Sequence, residues 1–162
     1  MKKKILYIDL DGVIADFDKA IEAISPGINS PESYADIDAR AQRVTEICMA
    51  YPEIFQELEP IEGAVEIIKE LFNDFDVYFL SAPMWHVPLS FAGKRIWIED
   101  HFGEMAKRKL ILTHRKDLAM GDILIDDRLV NGAKDFKGEF IHFRSAKFPD
   151  WTTTVKYLHK LK

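Results

Sequence analysis

Five short apolar runs punctuate the chain: Ile5 to Ile8, Val77 to Leu80, Leu110 to Leu112, Ile123 to Ile125 and Phe140 to Phe143. They are rich in isoleucine, leucine, valine and aromatic residues and show no polar alternation, which predicts strands buried on both faces. Between them the spacing changes to the period of a helix. Ala64, Val65, Ile67, Ile68, Leu71 and Phe72 follow Gly63 at such spacing, Ile96 to Phe102 predicts a shorter helix, and Trp151 to Leu161 a last one. Strands alternating with helices predict an α/β fold: an open, doubly wound parallel sheet of five strands with helices on its faces.

One stretch breaks the alternation. Residues 17–60 contain no strand pattern, only helical spacing interrupted at Ser25-Pro26-Gly27 and Asn29-Ser30-Pro31, with a helix predicted from Asp36 to Tyr51, stopping near Pro52. The expected organisation is a core of residues 1–16 and 61–162 with a small helical insertion, 17–60, after the first strand.

Composition narrows the function classes. At 162 residues and 48% hydrophobic, the chain has material for one ordinary core. The single cysteine, Cys48, excludes an internal disulfide. Net charge -5 argues against a nucleic acid polymer as partner but permits a small anion in a local cationic pocket. No apolar stretch approaches the roughly 20 residues that cross a bilayer. The apolar run after Lys2-Lys3-Lys4 ends at Asp9, too short for a signal-peptide core, so the expected location is cytoplasmic, with no membrane partner.

In open α/β sheets ligands bind beyond the carboxyl ends of the strands. Those ends carry Asp9 and Asp11, then Ser81, then Thr113 to Lys116, then Asp126 and Asp127. Acids, a hydroxyl and a lysine thus converge on one edge. Asp9-Leu10-Asp11-Gly12 read by itself is equally a turn, since Gly12 permits tight chain reversal. Ser81 could merely end a strand, and Lys116 could be a solvated loop residue. Read together, uncompensated carboxylates in one crevice repel each other, and a hard divalent cation with oxygen ligands resolves the conflict. The ammonium of Lys116 and the hydroxyl of Ser81 suit phosphoryl oxygens. The five histidines have no metal-ligand spacing, and Cys48 sits in an apolar helical setting that favours a packing role.

Asp9-Leu10-Asp11-Gly12-Val13, Ser81, Lys116 and Ile125-Asp126-Asp127 resemble, in order and spacing, the four motifs of the haloacid-dehalogenase-like (HAD) phosphatase superfamily. More narrowly, the chain is similar to 5′(3′)-deoxyribonucleotidases over Asp9 to Phe17, Phe55 to Ala64, Lys94 to Gly103, Leu112 to Lys116 and Leu124 to Arg128, and least so from Ala23 to Tyr51. The resemblance implies strand order 5-4-1-2-3 and a Mg²⁺-dependent phosphomonoesterase acting on deoxyribonucleoside monophosphates. In that reading Asp9 is the nucleophile that forms an aspartyl-phosphate. Asp11 protonates the leaving alcohol and later deprotonates water, tasks that ask for opposite ionisation states. Asp9, Asp11 (through its backbone carbonyl) and Asp127 hold the metal, with Asp126 behind them on Lys116 or a metal-bound water. Ser81 and Lys116 hold the phosphoryl oxygens.

The insertion lies where relatives carry a cap, which excludes water and touches the part of the substrate that is not phosphate. Phe17 corresponds to a residue lining the base pocket, and Lys94 to one near the phosphate or sugar. Packing for Phe17 and an exposed helix position for Lys94 are the competing accounts. The chain departs from the mammalian pattern at Ile28-Asn29, in place of an aromatic pair, and at Ala82, in place of a second hydroxyl. Base preference therefore does not carry over, and the sequence does not specify 5′ or 3′ phosphate. Tyr34, Arg40, Arg43 and Tyr51 are alternative cap contacts, and Trp85 either flanks the site or packs. The implied partner is a small phosphomonoester, a deoxyribonucleotide by resemblance. A homodimer is compatible with the sequence, which does not specify oligomeric state. A phosphatase of another small metabolite is the alternative. A receiver domain fits poorly, because Leu112-Thr113 supplies no acceptor aspartate at the third strand.

Overall fold

A computed structural model of the protein describes residues 2–30 and 37–162, with only the backbone at Ile37. The apolar runs form five parallel strands: β1 (Ile5–Ile8), β2 (Asp76–Ser81), β3 (Leu110–Leu112), β4 (Ile123–Asp126) and β5 (Glu139–His142), in the order β3-β2-β1-β4-β5. This is the expected order. Register pairs Ile8 with Phe79 and with Ile125, and Ser81 with Leu112. The chain reverses its direction of travel at β1, which lies between β2 and β4, so the end of β1 opens into the crevice where such sheets bind ligands.

Alternation along the strands sorts the apolar side chains onto two faces. Leu6, Ile8, Val77, Phe79, Ile123, Ile125 and Ile141 enter one large core, whereas Tyr7, Leu80 and Leu124 enter a smaller cluster with Ala133 and Phe136. The large core is built with α1 (Phe17–Ile24), α2 (Ile37–Ala50), α3 (Ile54–Glu57), α4 (Ala64–Leu71), α5 (Leu89–Phe102) and α6 (Trp151–Leu158). Cover of the two faces is unequal for a topological reason. The steps β1 to β2 to β3 carry α4 and α5 on one side. The return across the sheet to β4 and β5 travels the other way, so right-handed crossovers place it on the opposite face. Those connections are short and form only 3₁₀ turns, Lys116–Leu118 and Ala133–Asp135.

Helix α5 begins at Leu89, about two turns ahead of the apolar pattern. Its first two turns bury Ser90, Gly93 and Lys94, small or polar residues that leave no apolar signature. Gly93 is required by contact: a Cβ there would stand 2.8 Å from the Phe55 Cβ. Trp97 Nε1 donates to the Leu58 carbonyl at 2.7 Å, so α3 is fastened onto α5. The two chain crossings into the helical segment pair with each other, through Asp16 N–H to Glu59 O (2.8 Å) and Ile61 N–H to Ile14 O (2.7 Å). Helix α1 starts at an Asp16 cap, whose carboxylate accepts from the Lys19 amide at 3.3 Å.

Candidate active site

The carboxyl ends of β1, β2 and β4 and the turn after β3 deliver Asp9, Ser81, Asp126 and Lys116 to one crevice, all of them buried. Past β1 the chain doubles back through Ile14 N–H to Leu10 O (2.8 Å) and Gly12 N–H to Ala15 O (2.9 Å). Gly12 adopts φ +77°, and a Cβ there would lie 2.2 Å from Asp127 Oδ2. The glycine therefore both makes the turn and admits the Asp127 carboxylate.

Lys116 is the electrostatic hinge of the site. Its Nζ donates to Asp126 Oδ2 at 2.5 Å and stands 3.0 Å from Asp9 Oδ1, an ion pair without hydrogen-bond geometry. Burial alone would lower the Lys116 pKa; the Asp9 and Asp126 charges outweigh it and hold the ammonium above its usual range. Asp126 accepts on both oxygens, Oδ1 taking the Arg128 amide at 2.9 Å. The Asp127 carbonyl accepts from His142 Nε2 at 3.1 Å. Lys94, only 1% exposed on α5, donates to Asp11 Oδ2 at 2.5 Å, and its Nζ lies 5.5 Å from the Phe55 ring centroid. The exposed-helix account of Lys94 is thus excluded.

Ligand oxygens of Asp9, Asp126 and Asp127 lie within 4.8 Å of one another, while the Asp11 side chain lies outside this group, turned to Lys94. Among the described residues, Asp9 Oδ1, Asp11 Oδ1 and Asp127 Oδ1 are buried without a hydrogen-bond partner. Buried, crowded, unsatisfied carboxylate oxygens are costly, and a hard divalent cation fits them. With both Asp126 oxygens taken by protein donors and the Asp11 side chain turned to Lys94, the carboxylate acceptors left for a cation belong to Asp9 and Asp127.

Burial, then the Asp9 charge, pushes Asp126 up to about 6. Burial, then the charges of Asp9 and Asp126, pushes Asp127 up to about 7. Without a cation the folded protein therefore keeps protons that the unfolded chain releases above about pH 4. Stability then falls as pH rises until Asp127 has ionised, near pH 7. Thermal denaturation in chelator is expected to give a midpoint that drops over this window, and excess Mg²⁺ to remove most of the drop. A midpoint that climbs through the same window in chelator would contradict this.

Two compartments meet here. A small one of about 50 Å³ is lined by Asp9, Asp11, Ser81, Lys116, Asp126 and Asn131, among others. A larger one of about 490 Å³ opens between it and the helical segment, with Phe17, Arg40, Val44, Phe55 and Met84 in its wall. Asp11, Ala82 and Arg128 line both. Phe17 stacks on Phe55 with centroids 5.9 Å apart and planes 19° from parallel, so it both packs and lines the hollow.

Other candidates fall away from these hollows. Trp85 is 74% exposed, edge-on to His114; Tyr51 is exposed; Arg43 pairs with Glu46; and Tyr34 lies outside the described residues. Cys48 is buried, and burial pushes its thiol up to about 12, so no thiolate forms near neutrality. Sequence reasoning gave no role to Arg128 or Asn131, although both follow β4 at the same sheet edge as Asp126 and Asp127. A larger hollow of about 860 Å³, between the second half of α5 and β3, contains none of the four acids.

Solved structures share the fold at low identity. A Bacillus subtilis protein described as a HAD-hydrolase, YfnB, determined with magnesium bound, superposes with TM-score 0.57 at 13% identity, covering 99% of each chain. A haloacid dehalogenase-like family hydrolase from Xanthomonas campestris gives TM-score 0.57 at 12% identity over 99% of this chain and 92% of its own. Among sequences, a protein of Vibrio phage KVP40, provisionally named 5′(3′)-deoxyribonucleotidase, is 41% identical over 156 residues, 96% of this chain and 85% of that one. The human cytosolic-type 5′(3′)-deoxyribonucleotidase is 29% identical over 142 residues, 76% of this chain and 70% of its own. The family model described as "5′ nucleotidase, deoxy (Pyrimidine), cytosolic type C protein" matches residues 3–154. With the acids, serine and lysine brought together at the strand ends of this sheet, that match makes the chain a member of the 5′(3′)-deoxyribonucleotidase family on a HAD-like fold.

Proposed function

We propose that the protein is a Mg²⁺-dependent phosphomonoesterase that hydrolyses deoxyribonucleoside monophosphates to deoxynucleoside and phosphate through an aspartyl-phosphate on Asp9. The observation that carries this reading is the pairing of a phosphate-sized compartment, bounded by Asp9, Asp11, Ser81 and Lys116, with a larger compartment lined by Phe17.

Asp9 attacks phosphorus with a carboxylate oxygen, the ester oxygen leaves, and Asp11 gives it a proton. Asp11 then takes a proton from the water that attacks the aspartyl-phosphate, freeing Asp9 and phosphate. Lys94, bonded to Asp11 Oδ2, fixes the Asp11 side chain and leaves Oδ1 free for proton transfer. Lys116 and Ser81 take the phosphoryl oxygens, where donors already in place stabilise developing charge without reorganisation. Asp9 and Asp127, with the Asp11 backbone carbonyl, would hold the cation, and Asp126 keeps Lys116 in position. When bound, the cation polarises the phosphoryl oxygen and offsets the crowded carboxylates. The segment 17–60 serves as cap on a core of 1–16 and 61–162. No described helix is long and apolar enough to cross a membrane, and a cytoplasmic location suits a nucleotide substrate.

One observation favours a second reading, a phosphatase of another small metabolite. Ile28 and Asn29 are not aromatic, and with Ile28 buried in the core and Asn29 bonded to Arg40 neither side chain is placed to hold a base. Phosphate release should be measured from deoxy- and ribonucleoside monophosphates and from sugar phosphates, with Mg²⁺ and with chelator. Mg²⁺-dependent release from deoxynucleotides is expected. Release from sugar phosphates alone would keep the chemistry and reject the nucleotide substrate.

A further inference from the structure

Among the described residues, every cation at the crevice but one is paired within the protein, Arg144 with Asp16 and Asp18. Lys116 serves Asp9 and Asp126, and Lys94 serves Asp11. Arg40 bonds Asn29 Oδ1 at 2.5 Å and reaches the Ile28 carbonyl and Asp18 Oδ1 at 3.3 Å. Arg128 differs. Its amide is fixed by Asp126 Oδ1 at 2.9 Å, yet among the described residues its guanidinium has no hydrogen bond or ion pair. It is exposed, and it lines both the small and the large compartment.

Charge gives this free guanidinium a task. With the carboxylates ionised, Asp9, Asp11, Asp126 and Asp127 outnumber Lys94 and Lys116, the cations bonded to them, by two charges; the Arg128 guanidinium acts on Asp127 through its charge alone, as does Arg144. A divalent cation cancels the excess, and a phosphomonoester dianion reinstates it. Lys116 cannot turn wholly to the substrate without releasing two buried carboxylates. We propose that Arg128 is a further substrate-binding residue: from the junction of the two compartments its guanidinium captures the phosphoryl dianion, governing affinity rather than the chemical step. Planar paired donors suit phosphoryl oxygens, and an exposed arginine can hold the substrate from the solvent side while Lys116 holds it from within.

This inference rests on the phosphatase reading, so the test separates the two. Wild type, Arg128→Ala and Arg128→Lys are compared in Mg²⁺ by steady-state kinetics on a deoxynucleoside monophosphate and by calorimetric titration with inorganic phosphate. Arg128→Ala is expected to raise KM and weaken phosphate binding about tenfold or more, with kcat within about threefold of wild type. Arg128→Lys should recover part of the affinity. The rise of KM with salt should be shallower in Arg128→Ala, because an exposed charge contact is screened. Unchanged KM and phosphate affinity in Arg128→Ala, or a fall in kcat at constant KM, would overturn the proposal while wild-type turnover upheld the phosphatase. Arg128-dependent phosphate binding without turnover of any monoester would sink the phosphatase reading and leave the anion site standing. A wild-type protein that neither binds phosphate nor turns over overturns both.

Discussion

Asp9→Asn is expected to lower kcat by about four orders of magnitude or more, because a neutral amide is no nucleophile toward phosphorus. The same change should stabilise the protein when no cation is bound. The Asp9 charge helps drive Asp126 up to about 6 and Asp127 up to about 7. Removing it relieves both, and the gain is largest above pH 7, where Asp126 and Asp127 would otherwise be ionised beside it. Steady-state assays with Mg²⁺ and thermal denaturation at pH 8 in chelator check the two halves. A variant that is inactive and also less stable at pH 8 in chelator would point to a folding defect and against the role given to Asp9.

Lys116→Met should damage both stability and activity. The Lys116 side chain is 3% exposed and lies between Asp9 and Asp126, so the substitution leaves two buried carboxylates facing each other and Asp126 Oδ2 without a donor. Breaking a buried pair on one side costs about 3 kcal/mol or more, because the remaining charge is unpaired. The sign of the pH effect follows. Lys116 holds Asp126 down to about 6, so its loss raises that carboxyl further; at pH 5 Asp126 is protonated with or without the lysine and the penalty is small, and it grows as pH rises past 6 towards pH 8. Denaturant melts of the two proteins at both pH values read this directly, and equal loss at pH 5 and pH 8 would reduce Lys116 to a packing residue. Turnover should fall about 10²-fold to 10³-fold, the usual loss when one stabilising donor is removed.

The site was legible because its parts sit at the ends of apolar runs. Ile5 to Ile8 and Ile123 to Ile125 are strands buried on both faces, and the first polar residues beyond them had to lie at the sheet edge. Helix α5 was half hidden, since its buried face carries Ser90, Gly93 and Lys94, chosen for close approach to Phe55 and for the Asp11 carboxylate rather than for hydrophobicity. The same feature kept Lys94 from standing apart from an ordinary surface lysine. The 3₁₀ turns on the second face gave no periodic signal because they are three residues long. Arg128 and Asn131 have no chemical pattern of their own in sequence; only the meeting of two compartments gives them a role. In the cap, Ile28 and Asn29 turn to the core and to Arg40, a placement set by tertiary contacts that spacing cannot show.

The measurement that bears most directly on the account is chemical trapping of the intermediate. The protein would be mixed with a deoxynucleoside monophosphate and Mg²⁺, quenched during turnover, reduced with borohydride and mapped by peptide mass spectrometry. An acyl phosphate is reduced at its carbonyl, so the account predicts conversion of the Asp9 side chain to an alcohol, dependent on substrate and lost in Asp9→Asn. Phosphate release at full rate with Asp9 unmodified, or with another carboxylate reduced in its place, would contradict it.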